Sequence, residues 1–162
     1  MKLELILIVA KSDNMVISKD GKIPWHIPSD MKRFRNLTLN HPVIMGRITY
    51  LSIPQKFRPL PKRTNIIISS QEIKDEGIIV CCSLEEAVKK AKDLDNIIYF
   101  GGGKRVYEEA FLLADKLEIT EVHREYDGDV YFPEIYKNEW KEEFREFHIG
   151  NPAYSFVTYV RQ

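Results

Sequence analysis

The chain has 162 residues, enough for one domain whose apolar core can hold it together without disulfides or a metal ion. Basic and acidic side chains number 24 each, and a formal net charge of zero gives no general attraction to nucleic acid or to an anionic membrane. The two cysteines, Cys81 and Cys82, are neighbours that a disulfide could join only under strain, so we expect reduced thiols in a cytoplasmic protein.

Short apolar runs recur along the chain at the spacing of β-strands. The first run, residues 3–10, is far shorter than the ~20 residues that a membrane-spanning helix needs, so we interpret it as a buried strand and expect no membrane partner. The first five runs are largely unbroken, which is typical of strands covered on both faces. The predicted strands are residues 4–9, 42–45, 65–69, 77–81, 96–100 and 116–122, with a late pair at 142–148 and 154–161.

Helical patterns lie between these runs, at residues 29–39, 47–53, 83–92 and 104–113. Ser83 followed by Glu86 is a capping box, which marks the start of the third of them. Strands that alternate with helices predict a three-layer α/β/α fold around a mostly parallel sheet, and the closely spaced last strands predict an antiparallel hairpin at its edge. No composition shift or linker divides the chain, so we predict a single domain over residues 1–162.

Residues 15–28 are rich in turn formers, so we predict a long loop there rather than a helix or strand. A solvated connector is one interpretation. Ile23 and Trp25 favour another, because large apolar side chains in such a loop indicate that something lies beneath them.

Asp30 falls in the first turn of the predicted helix 29–39, where a carboxylate is often present only to cap free amides. Its position beside Met31 and four residues before Phe34 places it on the apolar face, where an unpaired charge is costly. A polar ligand ring with two donors would satisfy it, and burial would raise its pKa and suit it to proton handling.

Three polar junctions follow predicted strands: residues 46–49, 69–71 and 101–105. The glycines of the last junction suit backbone approach to a phosphate at a helix N-terminus, although they match neither GxGxxG nor the P-loop pattern. Residues of these types at a single junction most often serve only to form a turn, but the three junctions together could hold one extended phosphorylated ligand. The four histidines lack metal-ligand spacing, so we expect no metal.

Taken together, these segments resemble the dihydrofolate reductase family over almost the whole chain. The most specific stretches are PWHIPSDMKRF at 24–34, HPVIMGRITY at 41–50, PLPKRTNIIISSQ at 59–71 and GDVYFPEI at 128–135. The resemblance implies an eight-stranded sheet and NADPH-dependent reduction of 7,8-dihydrofolate to tetrahydrofolate, by hydride transfer to pterin C6 with protonation at N5, which supplies one-carbon metabolism. It also implies a monomer, with no nucleic-acid partner.

The resemblance also assigns roles to individual residues. Asp30 would be the single carboxylate at the pterin, with Thr120 behind it through water, while Trp25 and Tyr107 complete the catalytic set. Arg63 would bind the α-carboxylate of the substrate, a task that suits a guanidinium. The implied substrate-binding residues are Ile8, Val9, Ala10, Met31, Phe34, Ile53, Arg58, Leu60, Arg63 and Phe100.

For the cofactor, the resemblance pairs Arg47 with Ser70 at a 2′-phosphate, which favours NADPH over NADH. Residues 15–23 would be a mobile lid that excludes water and gates turnover. The implied cofactor-binding residues are Ala10, Ile17, Ile23, Gly46, Arg47, Ile48, Thr49, Ile68, Ser69, Ser70, Gln71, Gly101, Gly102, Gly103, Lys104, Arg105 and Val106.

The chain departs from the family pattern at four places. Ser18 replaces a glycine of the lid, the loop 54–58 is longer than in compact members, and one extra residue precedes Tyr107, which leaves open which two glycines face the pyrophosphate. Ile48 removes a possible polar phosphate contact. Two alternatives stay open: the related reductase of riboflavin synthesis, which lacks the constellation from Trp25 to Asp30, and a noncatalytic nucleotide- or folate-binding protein.

Overall fold

A computed structural model describes residues 2–162 and contains ten strands and four α-helices in that range. The strands are β1 Glu4–Ser12, β2 Val16–Ser18, β3 Pro42–Gly46, β4 Thr64–Ile68, β5 Ile78–Cys81, β6 Ile97–Phe100, β7 Lys116–Val122, β8 Val130–Tyr131, β9 Trp140–His148 and β10 Tyr154–Arg161. The helices are α1 Pro28–Thr38, α2 Arg47–Ser52, α3 Leu84–Lys92 and α4 Lys104–Phe111, with a 3-10 turn at Gln55–Phe57.

Eight strands form one sheet in the order β5-β4-β3-β6-β1-β7-β10-β9. The pairs from β5 to β7 are all parallel, whereas β10 is antiparallel to both β7 and β9. The predicted α/β class, with its mostly parallel sheet and antiparallel C-terminal hairpin, is therefore confirmed.

The helices cover both faces of the sheet, which explains the unbroken apolar strands. On one face, α3 and α4 bury small and branched side chains such as Ala87 and Ala110 against alternate residues of β1, among them Leu7. On the other face, α1 and α2 pack Phe34 and Tyr50 around Ile8 and its neighbours. Adjacent residues of β1 thus serve opposite layers, as the two-residue period of a strand requires.

The predicted start of α3 is confirmed at atomic detail. The Ser83 hydroxyl accepts a hydrogen bond from the Glu86 amide at 3.1 Å, and the Glu86 carboxylate accepts one from the Cys82 amide at 2.9 Å. Both cysteines are free, with Cys81 buried at the end of β5 and Cys82 exposed.

The prediction of an entirely irregular segment at 15–28 was wrong. Residues 16–18 form β2, which pairs antiparallel with β8 in a separate two-stranded sheet. Among residues 2–162, no helix is both long and apolar enough to cross a membrane.

Candidate active site

The candidate site lies where α1 crosses the carboxyl ends of β1 and β7. Ile8 and Ala10 of β1 stand in register with Glu118 and Thr120 of β7. Adjacent residues in register point to the same face of a parallel sheet, so all four face α1. A helix resting on this face brings its own side chains against theirs.

The carboxyl of Asp30, in the first turn of α1, meets this face directly. The Thr120 hydroxyl donates a hydrogen bond of 2.5 Å to Oδ1 of Asp30, so the water that we expected between them is not needed. Burial raises the pKa of Asp30, against the smaller lowering effects of the Thr120 hydrogen bond and the nearby charge of Arg33. Removal of a carboxylate from water disfavours its charged form, so Asp30 holds its proton at a higher pH than an exposed aspartate does.

Tyr107 of α4 reaches under β1 from the opposite layer. Its hydroxyl donates a 2.9 Å hydrogen bond to the Ile8 carbonyl and is buried. Burial, with a smaller contribution from the charge of Asp30, raises its pKa far above the physiological range, so Tyr107 stays neutral.

Apolar side chains form the rim and walls of the cleft. Trp25 is buried and its ring packs against Tyr126 at a centroid distance of 5.2 Å. Phe34, Ile53 and Leu60 are partly buried and pack against the cluster around Ile8. Ile23 and Met31 expose 63% and 62% of their surface, which leaves large apolar groups for a ligand to cover.

Two side chains predicted to line the substrate pocket point elsewhere. Val9 and Phe100 pack in the opposite layer, with α3 and α4, because the alternation of β1 and the register of Phe100 with Leu7 place them there. Val9 can therefore present only its backbone to a ligand on the α1 side, and the side chain of Phe100 belongs to the core.

The two arginines of the loop after α2 differ in their surroundings. Arg63 donates to the Thr38 hydroxyl at 3.2 Å and to the Pro61 carbonyl at 3.0 Å; burial and the positive charge of Arg35 lower its pKa. An anionic group placed between Arg35 and Arg63 would be attracted by both.

Arg58 is instead committed to the protein itself. Its Nε lies 3.0 Å from the Asp75 carboxylate, and its Nη1 donates to the carbonyls of Leu51 and Ile53 at 3.1 and 3.0 Å. The Tyr50 hydroxyl donates to the same carboxylate at 2.7 Å. The sequence did not identify Asp75, since an acidic residue in a polar loop carries no local signal.

The three glycine and hydroxyl junctions converge at the carboxyl ends of β3, β4 and β6. The Gly46 amide donates to the Gly102 carbonyl at 2.8 Å, and a side chain at Gly103 would place its Cβ 2.7 Å from the Thr49 hydroxyl oxygen. Ser69 continues directly from β4, whose last residue pairs with Gly46. Glycine at position 103 lets its backbone approach Thr49 this closely, and amides at helix starts suit phosphate groups.

The remaining residues predicted for the cofactor divide into two groups. Arg47 is half-buried and has no side-chain hydrogen bond or ion pair within the described part of the chain, while Ile48 is 74% exposed. The other exposed members are Ser70, Gln71, Lys104 and Arg105, whereas the side chains of Ile17, Ile68 and Val106 pack into the core. No group of three or more potential metal ligands occurs in residues 2–162.

Sequence reasoning also missed an ion pair beside Asp30. Arg33 Nη2 lies 2.8 Å from Oε2 of Glu118, and the Thr158 hydroxyl donates to both oxygens of the same carboxylate. The spacing of Arg33 three residues after Asp30 on a helix was the available signal, but the partner on β7 is 85 residues away.

Comparison with known proteins gives a consistent result. The family model described as dihydrofolate reductase matches residues 4–161. The dihydrofolate reductase of Haemophilus influenzae is 47% identical over 141 residues, which cover 87% of this chain and 86% of that protein. The type 3 dihydrofolate reductase of Salmonella typhimurium is 38% identical over 161 residues, covering 96% and 97%.

A solved structure has the same architecture. The dihydrofolate reductase from Enterococcus faecalis, complexed with NADP(H) and RAB-propyl, superimposes with a TM-score of 0.87 at 33% sequence identity. The alignment covers 98% of this chain and 96% of that one.

Proposed function

Because the chain belongs to the dihydrofolate reductase family, we infer that it reduces dihydrofolate to tetrahydrofolate with NADPH as the electron donor. The observation that carries this conclusion is the Asp30 carboxyl, held by Thr120 against an apolar cleft beside a glycine-lined junction. The product is a carrier for one-carbon metabolism.

The junctions at the ends of β3, β4 and β6 fit the cofactor. At Gly102 and Gly103 a Cβ would press against Tyr107 and Thr49, so glycine keeps the backbone close to these elements, and its amides at the start of α4 suit the pyrophosphate. We assign Arg47 and Ser70 to the 2′-phosphate, because Arg47 has a guanidinium free of protein partners in the described residues. When bound, NADPH supplies the hydride that C6 of the pterin accepts.

Asp30 has two tasks in this scheme. Its carboxyl binds the amidine-like edge of the pterin, and its raised pKa keeps a proton available in the cleft, from which water carries it to N5. Thr120 holds the carboxyl in place, while Trp25, Ile8 and Phe34 exclude bulk water around it. The protein thus contributes alignment and electrostatics rather than a covalent intermediate.

We assign the glutamate end of the substrate to Arg63. Its guanidinium lies beside Arg35 at the end of the cleft, and both charges favour a carboxylate there. Arg58 supports the wall of the pocket instead, since Asp75 and two backbone carbonyls occupy its donors. We further propose that residues 1–162 act as a single domain, as a monomer, in the cytoplasm.

The decisive experiment follows reduced-nicotinamide absorbance when purified protein is mixed with dihydrofolate and either NADPH or NADH. We expect rapid oxidation of NADPH and slower oxidation of NADH. Asp30→Asn should lower turnover at neutral pH by about 10²-fold or more, the usual contribution of a positioned proton donor. Wild-type turnover in Asp30→Asn would remove the assigned role. Binding of both ligands by folded wild-type protein without oxidation would instead leave a noncatalytic binding protein.

A further inference from the structure

Helix α1 is joined to strand β7 by two side-chain links that lie next to each other. Asp30 and Arg33 stand three residues apart on α1, on one side of the helix. Thr120 and Glu118 stand two residues apart on β7, on one face of the sheet. Thr120 contacts Asp30 and Glu118 contacts Arg33, at 2.5 and 2.8 Å.

The link between Arg33 and Glu118 is largely removed from water. Their side chains are 18% and 9% exposed, and Thr158 of β10 donates to both Glu118 oxygens, at 3.0 and 2.9 Å. The Arg33 guanidinium also lies over the Phe156 ring, 4.5 Å from its centroid. The pair therefore joins α1, β7 and β10, and each charge is held by several contacts.

Such a pair is weak evidence for stability, because desolvation of two charges offsets their attraction. Its position next to Asp30 gives it a different consequence. An uncompensated Arg33 would favour the ionised form of the Asp30 carboxyl, and an uncompensated Glu118 would favour the protonated form. The two charges thus act on Asp30 in opposite directions, and the lowering effect of Arg33 that remains in the intact pair is smaller than the raising effect of burial.

We propose that the Arg33–Glu118 pair is a positioning pair for the reductase reaction, which fixes α1 against β7 and sets the electrostatic field at the Asp30 carboxyl. The proposal rests on the proposed function of Asp30. Arg33 and Glu118 need not touch substrate, because they act through the carboxyl beside them.

Other polar and titratable groups on the elements packed against α1 also contribute to the electrostatic field around Asp30. From α4, Tyr107 is near enough for the charge of Asp30 to raise its pKa, and it stays neutral. From β10, Tyr154 contacts Ser29 through their hydroxyls and stacks on His148, which in turn pairs with Glu146. From β7, Thr120 and Glu118 complete the set, and Arg33 is the cation that α1 itself supplies.

The test measures the titration of Asp30 without relying on catalysis. Carbon-13 NMR of the aspartate carboxyl carbons, with the Asp30 signal assigned by its loss in Asp30→Asn, gives the midpoint in each variant. Glu118→Gln should move the midpoint to lower pH and Arg33→Met to higher pH, each by roughly half a unit. The midpoint of the double variant should lie between those of the two single variants, and that of Arg33→Lys should stay close to the wild-type midpoint.

The pH profile of single-turnover hydride transfer should move in the same directions. Arg145→Met is the matched control, since Arg145 of β9 forms ion pairs with Glu142 of β9 and Glu121 of β7. Glu121 follows Thr120 in β7 and so points to the face of the sheet opposite α1. Shifts of the same sign in Glu118→Gln and Arg33→Met, or no shift in either, would overturn the proposal. If single substitutions unfold the chain, the double variant and Arg33→Lys still test the proposal. A double-variant midpoint displaced by roughly half a unit or more would contradict opposing effects of the two charges.

The two proposals fail in distinguishable ways. Absence of NADPH oxidation by the wild-type protein, together with opposite midpoint shifts in Glu118→Gln and Arg33→Met, would remove the proposed function and leave the electrostatic coupling. Normal turnover with an unmoved Asp30 midpoint in both charge variants would leave the function and remove the coupling.

Discussion

The Asp30 carboxyl is favourable for catalysis and unfavourable for stability at neutral pH. Burial raises its pKa, so the folded chain binds this proton more tightly than the unfolded chain does. The stabilising contribution is therefore complete in acid, below the ordinary pKa of aspartate, and is lost as the pH rises through the raised value. Above that range of pH, the folded chain carries the free-energy cost of a buried charge.

Asp30→Asn should consequently stabilise the fold at neutral pH while it removes turnover. Asparagine keeps an oxygen to accept the Thr120 hydrogen bond but has no charge to bury. We expect Tm to rise by roughly 2–4 °C at neutral pH, about 1 kcal/mol for a domain of this size, and the difference to shrink on acidification. Thermal unfolding of both proteins from pH 4 to 8 measures it. An Asn variant less stable than wild type at pH 7 would show that burial of the Asp30 carboxyl does not destabilise the fold at that pH.

At the scale of single residues, the sequence identified groups whose chemistry is local. Asp30 stood out because a carboxylate on an apolar helix face is unusual, and the structure places it beside Thr120. The sequence could not show that Thr120 contacts it directly, since 90 residues separate them. Nor could it show that the Phe100 side chain points to the α3 and α4 layer. In a wholly apolar strand, which residues point to which face depends on the register with neighbouring strands.

At the scale of elements, pairing of β2 with β8 holds residues 15–23, the segment that we propose as a lid, beside the loop 123–129. They pair through two positions only, and Gly128 packs directly on β2: a Cβ there would lie 2.8 Å from the Ser18 carbonyl oxygen and clash with the Val16 side chain. Strands of three and two residues have no detectable periodicity, which is why the sequence suggested an irregular loop.

Gly128→Ala should therefore displace β2 and disturb the lid. We expect hydride transfer to slow by roughly ten- to a hundredfold, because small misplacements at the reacting groups are costly, while NADPH affinity changes less. Single-turnover kinetics and cofactor titration separate the two effects. Asp127→Ala, at the exposed neighbouring position, is the control and should behave like wild type. Equal hydride-transfer rates in Gly128→Ala and wild type would mean that β2 does not position the lid.

A second element-scale contact fixes the loop between α2 and β4. Asp75 binds Tyr50 and Arg58, and Arg58 in turn holds the carbonyls of Leu51 and Ile53. The Tyr50 hydrogen bond above all, and then Arg58, lower the pKa of Asp75. The carboxylate is therefore ionised at neutral pH, and its contribution is lost only as the pH falls through that lowered pKa.

Asp75→Asn should loosen this wall of the substrate pocket. We expect KM for dihydrofolate to rise by about three- to tenfold with kcat nearly unchanged, since a loss of 0.7–1.4 kcal/mol in uniform binding has this signature. Steady-state kinetics at saturating NADPH measure both constants. Glu76→Gln, at the exposed next position, controls for the loss of a negative charge in the same loop. A fall in kcat without a change in KM would place Asp75 in the chemistry instead.

At the scale of the whole molecule, alternating strands and helices predicted the class of fold but not the order of its strands. β1 lies between β6 and β7, which are distant in sequence, and β3 lies beyond β6. This order brings the junctions after β3, β4 and β6 to one edge and the α1–β7 contacts to the adjoining side of β1. Parallel crossovers of similar length permit several such orders, so local patterns cannot select one.

Because the cofactor junctions come from three strands, NADPH binding should stabilise the entire fold. A ligand present at a hundred times its Kd adds ~2.7 kcal/mol of stability, which corresponds to roughly 5–10 °C in Tm for a domain of this size. We expect NADPH to produce such a shift at a lower concentration than NADH in differential scanning fluorimetry. Arg47→Ala should make the concentrations of NADPH and NADH needed for this Tm shift similar, because Arg47 is the free guanidinium assigned to the 2′-phosphate. Lys104→Ala, at an exposed position on the neighbouring helix, should keep most of the preference for NADPH. A preference that survives in Arg47→Ala and disappears in Lys104→Ala would move the 2′-phosphate site from the β3 junction to the start of α4.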